Sequence, residues 1–288
     1  MKKVLFATTA LVATASVAAA DVNFSGYGRF GLLYSDVGGV SSTNLTTRLR
    51  LQIDMTAESD SGVEFGARAR IQQNTGGTNT GINGVRFFAR TGGFEVGAGN
   101  IFGAIEWMPG QYPIDLGLTG LGYNYTAYGF NADAYSSGGV GAGGSNGVEV
   151  MYSAGDFSVH VSASDTSDRI AGYASYSFSG WTVAVGVQDS TNAADTEWTA
   201  TIGGSLGVAD ITLAYADNGT SGERFVLAGK FDIGASTNIE AYYADDTAGD
   251  SYGIDFNHSL GGGTSVRGGI AELISGETRA DLGIRFNF

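Results

Sequence analysis

The sequence contains no cysteine and only two prolines, Pro109 and Pro113. Without cysteine there is no disulfide framework. With both prolines in one short stretch, little else along the chain interrupts backbone pairing. Lysine is almost missing: beyond Lys2 and Lys3 only Lys230 remains. Soluble sheet proteins use lysine to keep exposed edges from pairing, so its scarcity argues against an ordinary soluble sheet. Only two histidines occur, His160 and His258, far apart and with no serine-nucleophile motif beside either. An acyl-transfer triad therefore has no candidate, and no Cys or His spacing suggests a metal centre. No catalytic residue is assigned. The glycine-rich runs GYGRFG (26–31) and GGGTSVRG (261–268) have no phosphate-binding lysine or following helix. They read as strand and turn glycines.

Positive charge is also scarce. The formal charge is −14, and it becomes −16 without Lys2 and Lys3. So acidic a chain is no nucleic-acid binder by electrostatics. The sign is unevenly spread. Residues 21–100 hold seven arginines and seven acids, whereas 101–288 hold six basic and twenty-two acidic residues.

What is present begins with MKKVLFATTALVATASVAAA at 1–20. Two lysines, a short apolar run from Val4 to Val12 and a small-residue site at Ala18-Ala19-Ala20 read as a secretory signal cleaved after Ala20. The mature chain, 21–288, reads as one domain. No later stretch is long and apolar enough to span a membrane as a helix.

Alternation is the dominant signal. In 45–56, Leu45, Leu49, Leu51, Ile53 and Met55 alternate with Arg48, Arg50, Gln52 and Asp54. Successive strand side chains point to opposite faces, so this strand separates two different media. The pattern recurs and predicts an all-β chain of sixteen strands. They fall at roughly 22–35, 43–57, 62–74, 82–91, 94–101, 148–154, 157–164 and 169–178 in the first half. The second half follows at roughly 181–188, 197–206, 210–216, 223–232, 237–244, 251–258, 264–271 and 278–288. Connections after even strands are short, as at Gly92-Gly93 and Ser179-Gly180; those after odd strands read as longer, as at 35–42 and 245–250. An antiparallel transmembrane β-barrel of the outer membrane has this parity. The chain ends with Leu282, Ile284, Phe286 and Phe288 on one face, a candidate assembly signal in Phe286 and Phe288. Very small residues beside charges on the polar face suit a water-filled lumen.

Residues 102–146 break the pattern, hold both prolines, and carry Trp107, Tyr112, Tyr123, Tyr125, Tyr128 and Phe130. So aromatic a connection should pack on something. It follows the fifth strand, at an outer end, where it is placed to fold back into the lumen. A barrel of sixteen strands is wide enough for an aqueous channel.

The first strand DVNFSGYGRFGLLY, the loop entry GNIFGAIEW and the end ADLGIRFNF resemble the trimeric general-diffusion porins of Gram-negative bacteria. The resemblance is nearest to those of photosynthetic alphaproteobacteria, over the full mature length. The loop lacks the PEFGG motif of enteric porins. The resemblance implies a homotrimer among outer-membrane lipids and lipopolysaccharide, with a long third outer loop folded into each lumen. It implies passive transport of small hydrophilic solutes and ions, and a basic wall facing loop carboxylates at the narrowest point. Here the basic set is Arg29, Arg48, Arg50, Arg68, Arg70, Arg86 and Arg90. The loop offers Glu106, Asp115 and Asp133. Should these cluster, oxygen ligands for Ca²⁺ would result; no other cofactor is expected. Acids at outer positions, among them Asp165, Asp168, Asp189, Asp195, Glu197, Asp245, Asp246 and Asp250, suggest a mildly cation-preferring mouth. A substrate-specific channel is the rival reading and would need a ladder of lumenal aromatics. A surface β-adhesin is a further alternative.

Overall fold

The computed structural model describes residues 20–77, 81–138 and 144–288. The expected signal lies outside the described residues except for Ala20. The strands are β1 (Ala20–Val37), β2 (Val40–Glu58), β3 (Glu64–Asn74), β4 (Arg86–Thr91), β5 (Phe94–Asn100) and β6 (Asn146–Ala154). There follow β7 (Phe157–Ser164), β8 (Ile170–Phe178), β9 (Trp181–Asp189), β10 (Glu197–Leu206) and β11 (Ala209–Asp217). The last five are β12 (Glu223–Gly234), β13 (Thr237–Asp246), β14 (Gly249–Gly261), β15 (Thr264–Glu272) and β16 (Thr278–Asn287). Each pairs antiparallel with its sequence neighbours, and β1 pairs with β16 to close the ring. At the seam the Gly26 amide donates to the Phe288 carbonyl at 2.9 Å, and the Phe288 amide returns a bond at 3.1 Å.

The alternation explains which medium each face meets. Phe24, Phe30, Leu49, Phe65, Phe87, Val185, Ile254 and Leu282 all point out of the ring and are exposed. Their neighbours Arg29, Arg48, Arg50 and Arg68 point inward. An apolar exterior is stable in hydrocarbon, and ring closure leaves no strand edge unpaired there. No helix among the described residues is long and apolar enough to cross a membrane; the strands cross instead.

Three boundaries differ clearly from the sequence reading. The connections expected at 35–42 and 245–250 shrink to the two-residue turns Gly38-Gly39 and Thr247-Ala248. Their polar flanks go on pairing, Asp36 with Ser41 and Asp245 with Asp250. Backbone ladders form regardless of side-chain polarity once the strands clear the apolar layer, so the turn parity is weaker than expected. The fourth strand, expected from residue 82, begins at Arg86. Ile82 makes only an isolated bridge to Ile71, and the Asn83 side chain accepts from the Arg70 amide at 2.6 Å.

Residues 101–138, the segment that follows β5, lie within the ring. Their apolar side chains Ile101, Ile105, Leu116, Leu118, Leu121 and Tyr125 are buried. Leu116, Leu121 and Tyr125 pack on Ala214, Ala216, Val226, Ala228, Ala244 and Ala271, all on the inner wall. The small inner residues are therefore not simply a lining for water, as the sequence suggested. Over β8 to β15 many of them are sockets for this segment. A Cβ on Gly253 would lie 2.9 Å from the Leu116 side chain; one on Gly186 would lie 2.8 Å from both Ile105 and Met108.

A leucine at Gly186 should push the segment off the wall without unpairing β9, since the clash is with side chains of the segment. Overpacking of this kind costs about 1–3 kcal/mol. The variant is expected to keep the heat-modifiable gel mobility of a folded barrel while its single-channel conductance changes. Unaltered conductance would show that the socket does not position the segment.

Candidate pore constriction

A segment inside a barrel has no strand to pair with, yet its buried amides and carbonyls need partners. Inner-wall side chains supply them. The Glu149 carboxylate on β6 accepts the amides of Phe102 (3.0 Å) and Gly103 (3.2 Å). Glu240 accepts Asp115 N at 2.9 Å, Asp255 accepts Gly117 N at 2.5 Å, and Asp281 accepts Leu118 N and Thr119 N at 2.9 and 2.8 Å. Carbonyls are met by cations and amides. Arg29 Nη1 donates to Leu118 O at 2.6 Å, Arg224 Nη1 to Thr126 O at 3.1 Å, and Gln188 Nε2 to Asn131 O at 2.9 Å. Anchors thus run round the ring from β1 to β16.

The expected arginines divide into two groups. Arg29, Arg48, Arg50 and Arg70 meet neutral partners. Arg48 donates to Asn74 (2.7 Å) and Tyr27 (3.2 Å), Arg50 to Gln72 (2.6 Å), and Arg70 to Gln52 and Ser137 (both 2.9 Å). Arg50 lies 5.3 Å from the Tyr27 ring centre and Arg70 4.7 Å from that of Tyr135. The other three are in ion pairs. Arg68 meets Asp54 at 2.6 Å and Arg90 meets Glu64 at 2.7 Å. Arg86 departs furthest from the expectation of a lumen-facing cation. Its side chain is 2% exposed, held by Glu149 at 2.5 Å and Glu95 at 2.6 Å. It is a buried strut, because the incoming segment covers it.

The loop carboxylates are also held separately. Asp115 is exposed and accepts from Arg267 (2.6 Å) and Arg285 (2.7 Å). Glu106 accepts hydrogen bonds from the hydroxyls of Tyr112 (2.7 Å) and Tyr128. Burial, reinforced by Glu106, raises both phenol pKa values, so the hydroxyls stay protonated and donate. Asp133 is buried against Arg169 (3.1 Å) and Ser164 (3.0 Å), away from the other two. No cluster of three or more His, Cys, Asp or Glu exists among the described residues, so the carboxylate cage imagined for Ca²⁺ is not assembled there. Glu197 is likewise buried, bonded to Gln188 at 3.0 Å, and is not part of the mouth.

Arg267 and Arg285 were missed by the sequence reading. Parity does place Arg285 inward, because Ile284 and Phe286 face out. What the sequence hides is closure: β16 lies beside β1, so Arg285 sits 4.3 Å over the ring of Tyr27, beside Arg50. The basic wall therefore extends across the seam. The wall carboxylates Glu240, Asp255 and Asp281 were missed as well.

The Gram-negative porin family profile matches residues 7–277. Porins from Fuscovulum blasticum and Rhodobacter capsulatus are each 29% identical to the chain, over 93% of it and all of their own length. Among solved structures, an engineered variant of Rh. blastica porin superposes with a TM-score of 0.85 at 26% identity, again over 93% of this chain and 100% of that one.

Removing one member of a buried ion pair typically costs about 3–5 kcal/mol, because the partner charge stays buried. Glu149→Ala leaves the buried Arg86 with Glu95 alone and frees the two amides at the entry to the segment. It is expected to lower the denaturant midpoint markedly and to open residues 101–108 to protease. A midpoint within error of the parent would rule out Glu149 as an anchor.

Proposed function

The chain belongs to the Gram-negative porin family, an outer-membrane β-barrel diffusion pore, and we propose that its selectivity is set by an arginine wall facing an acidic loop. The observation that carries this reading is that Arg29, Arg48, Arg50 and Arg70 have only neutral hydrogen-bond partners among the described residues. The loop contributes the acids of the proposed pair: Asp115, held by Arg267 and Arg285, and Glu106, capped by two tyrosines. Fixed charges of opposite sign on two walls create a transverse field. Such a field orients water and dipolar solutes and disfavours apolar ones.

The outer mouth has the other sign. Asp165, Asp168 and Asp195 are exposed in the connections after β7 and β9, and Asp189, Asp245 and Asp250 are exposed at the same end on the outward face of their strands. They raise local cation concentration, while the wall below favours anions. The net result is a weak cation preference at low salt. We extend the proposal to assembly: export through residues 1–20, a mature barrel of 21–288, and a homotrimer seated among outer-membrane lipids and lipopolysaccharide. Its support is the continuous apolar exterior and the family resemblance.

Two fields in series respond differently to salt. The Debye length is about 30 Å at 0.01 M and about 3 Å at 1 M, so the open mouth is screened first and the recessed wall last. Reversal potentials in KCl gradients should therefore drift from cation toward anion preference as mean salt rises. An anion preference already present at 0.01 M would overturn the role of the mouth.

Neutralising the wall tests the other half. Arg48→Gln with Arg70→Gln should raise the cation-to-anion permeability ratio at every salt concentration. An unchanged ratio would remove these arginines from the selectivity filter.

A further inference from the structure

We propose that the lumen carries, below the loop, a binding subsite for a neutral pyranose sugar, built on the free face of Trp107. The proposal rests on the pore reading above and adds a solute class to it. A cavity of about 490 Å³ opens at the end of the barrel that bears the short Gly92-Gly93 turn, against Phe88, Arg90, Phe102 and Trp107. Small-molecule sites span roughly 300–1,000 Å³, so it has room for one or two sugar rings.

The floor of the cavity is a layered stack. Trp107 lies on Phe102 with ring centres 4.1 Å apart and planes 9° from parallel. Arg86 lies 3.9 Å from the Phe102 ring centre and is itself fixed by Glu149 and Glu95. The stack is therefore held from below. One indole face is used; the residue remains 48% exposed. Trp107 also borders the cavity, so the indole offers an electron-rich surface to a solute there.

The polar rim decides which ligand suits that surface. Arg68 is paired with Asp54, and Arg90 with Glu64. Their side chains keep 24% and 51% exposure, so donors and acceptors remain reachable. Each pair is already neutral. An aromatic anion would have to draw an arginine away from its carboxylate. A cation would have to do the reverse. A pyranose needs neither: its C–H face lies on the indole, and its hydroxyls donate to Glu95 and accept from Arg68 and Arg90, all three on the cavity lining.

The test is current block in planar bilayers. Full-length mature protein in KCl is titrated with maltose, with glucose, and with sorbitol as an open-chain polyol lacking a ring face. Each current is normalised to the sugar-free current of the same variant. The expected result is saturable, reversible block by maltose and glucose, and only a linear viscosity effect with sorbitol. Trp107→Ala should weaken half-block about tenfold, in line with loss of one aromatic contact. Trp107→Phe should restore most of it. A linear fall with every solute overturns the proposal, as does equal block in Trp107→Ala. Saturable block by salicylate without block by sugar also overturns it, in favour of an anion site. Absence of any conductance is a different result: it would refute the pore reading itself.

Discussion

The amides and carbonyls of residues 101–138 lie where no strand can pair with them, and the interior is organised round that fact. A buried amide left without an acceptor costs about 1–3 kcal/mol, and a barrel lumen holds several in a row. Water fills part of the lumen but cannot reach groups pressed against the wall. The wall therefore carries acceptors at fixed places. Glu149 takes the entry to the segment; Glu240, Asp255 and Asp281 take its middle. A carboxyl oxygen has spare lone pairs and accepts such amides readily. Four such anchors hold a segment that contains no strand of its own.

This use of carboxylates also sorts the charge of the channel. Twenty-two acids lie after residue 101, against six basic residues. Taken as a sum, that number predicts a lumen of strongly negative potential. It misleads, because four of these acids are spent on amides and Asp133 on Arg169. The arginines of β1 to β3 lose no comparable share: four of them bind only Asn, Gln, Ser, Tyr or backbone oxygen. The inner wall of β1 to β3 thus keeps four arginines without acidic partners although the chain is acidic overall. Net charge describes the whole molecule; the partner list describes the path a solute follows.

The barrel itself was legible because its cause is local. A period of two, repeated sixteen times, needs no knowledge of distant residues, and the inward set Arg29, Arg48, Arg50 and Arg70 followed from parity alone. The interior was less legible because its causes are distant. Glu149 meets Phe102 across 47 positions and Asp281 meets Leu118 across 163. Nothing in the local sequence distinguishes an acid that faces water from one that caps an amide. Arg86 shows the same limit. Its parity is that of Arg68 and Arg90, yet burial under Phe102 turns it from a channel charge into a strut. Ring closure hid Arg285 in a similar way, since its neighbour Tyr27 lies at the opposite end of the chain.

Pore width follows from what the wall lacks. The segment stands as close to the wall as Leu116, Leu121, Ile105 and Met108 allow, and they sink in because glycine or alanine lies beneath them. Larger residues at Gly186, Gly253 or Gly269 would lift the segment toward the arginines and narrow the passage, even with every residue of the segment unchanged. The anchoring carboxylates then have a second consequence. Because they stand on strands with full ladders of backbone pairing, they move only as far as the barrel moves. The segment thus inherits the stiffness of the sheet at each anchor and keeps its own mobility only between anchors. Channel geometry in this chain is written more in the small and acidic residues of β6 to β16 than in the segment that crosses the pore.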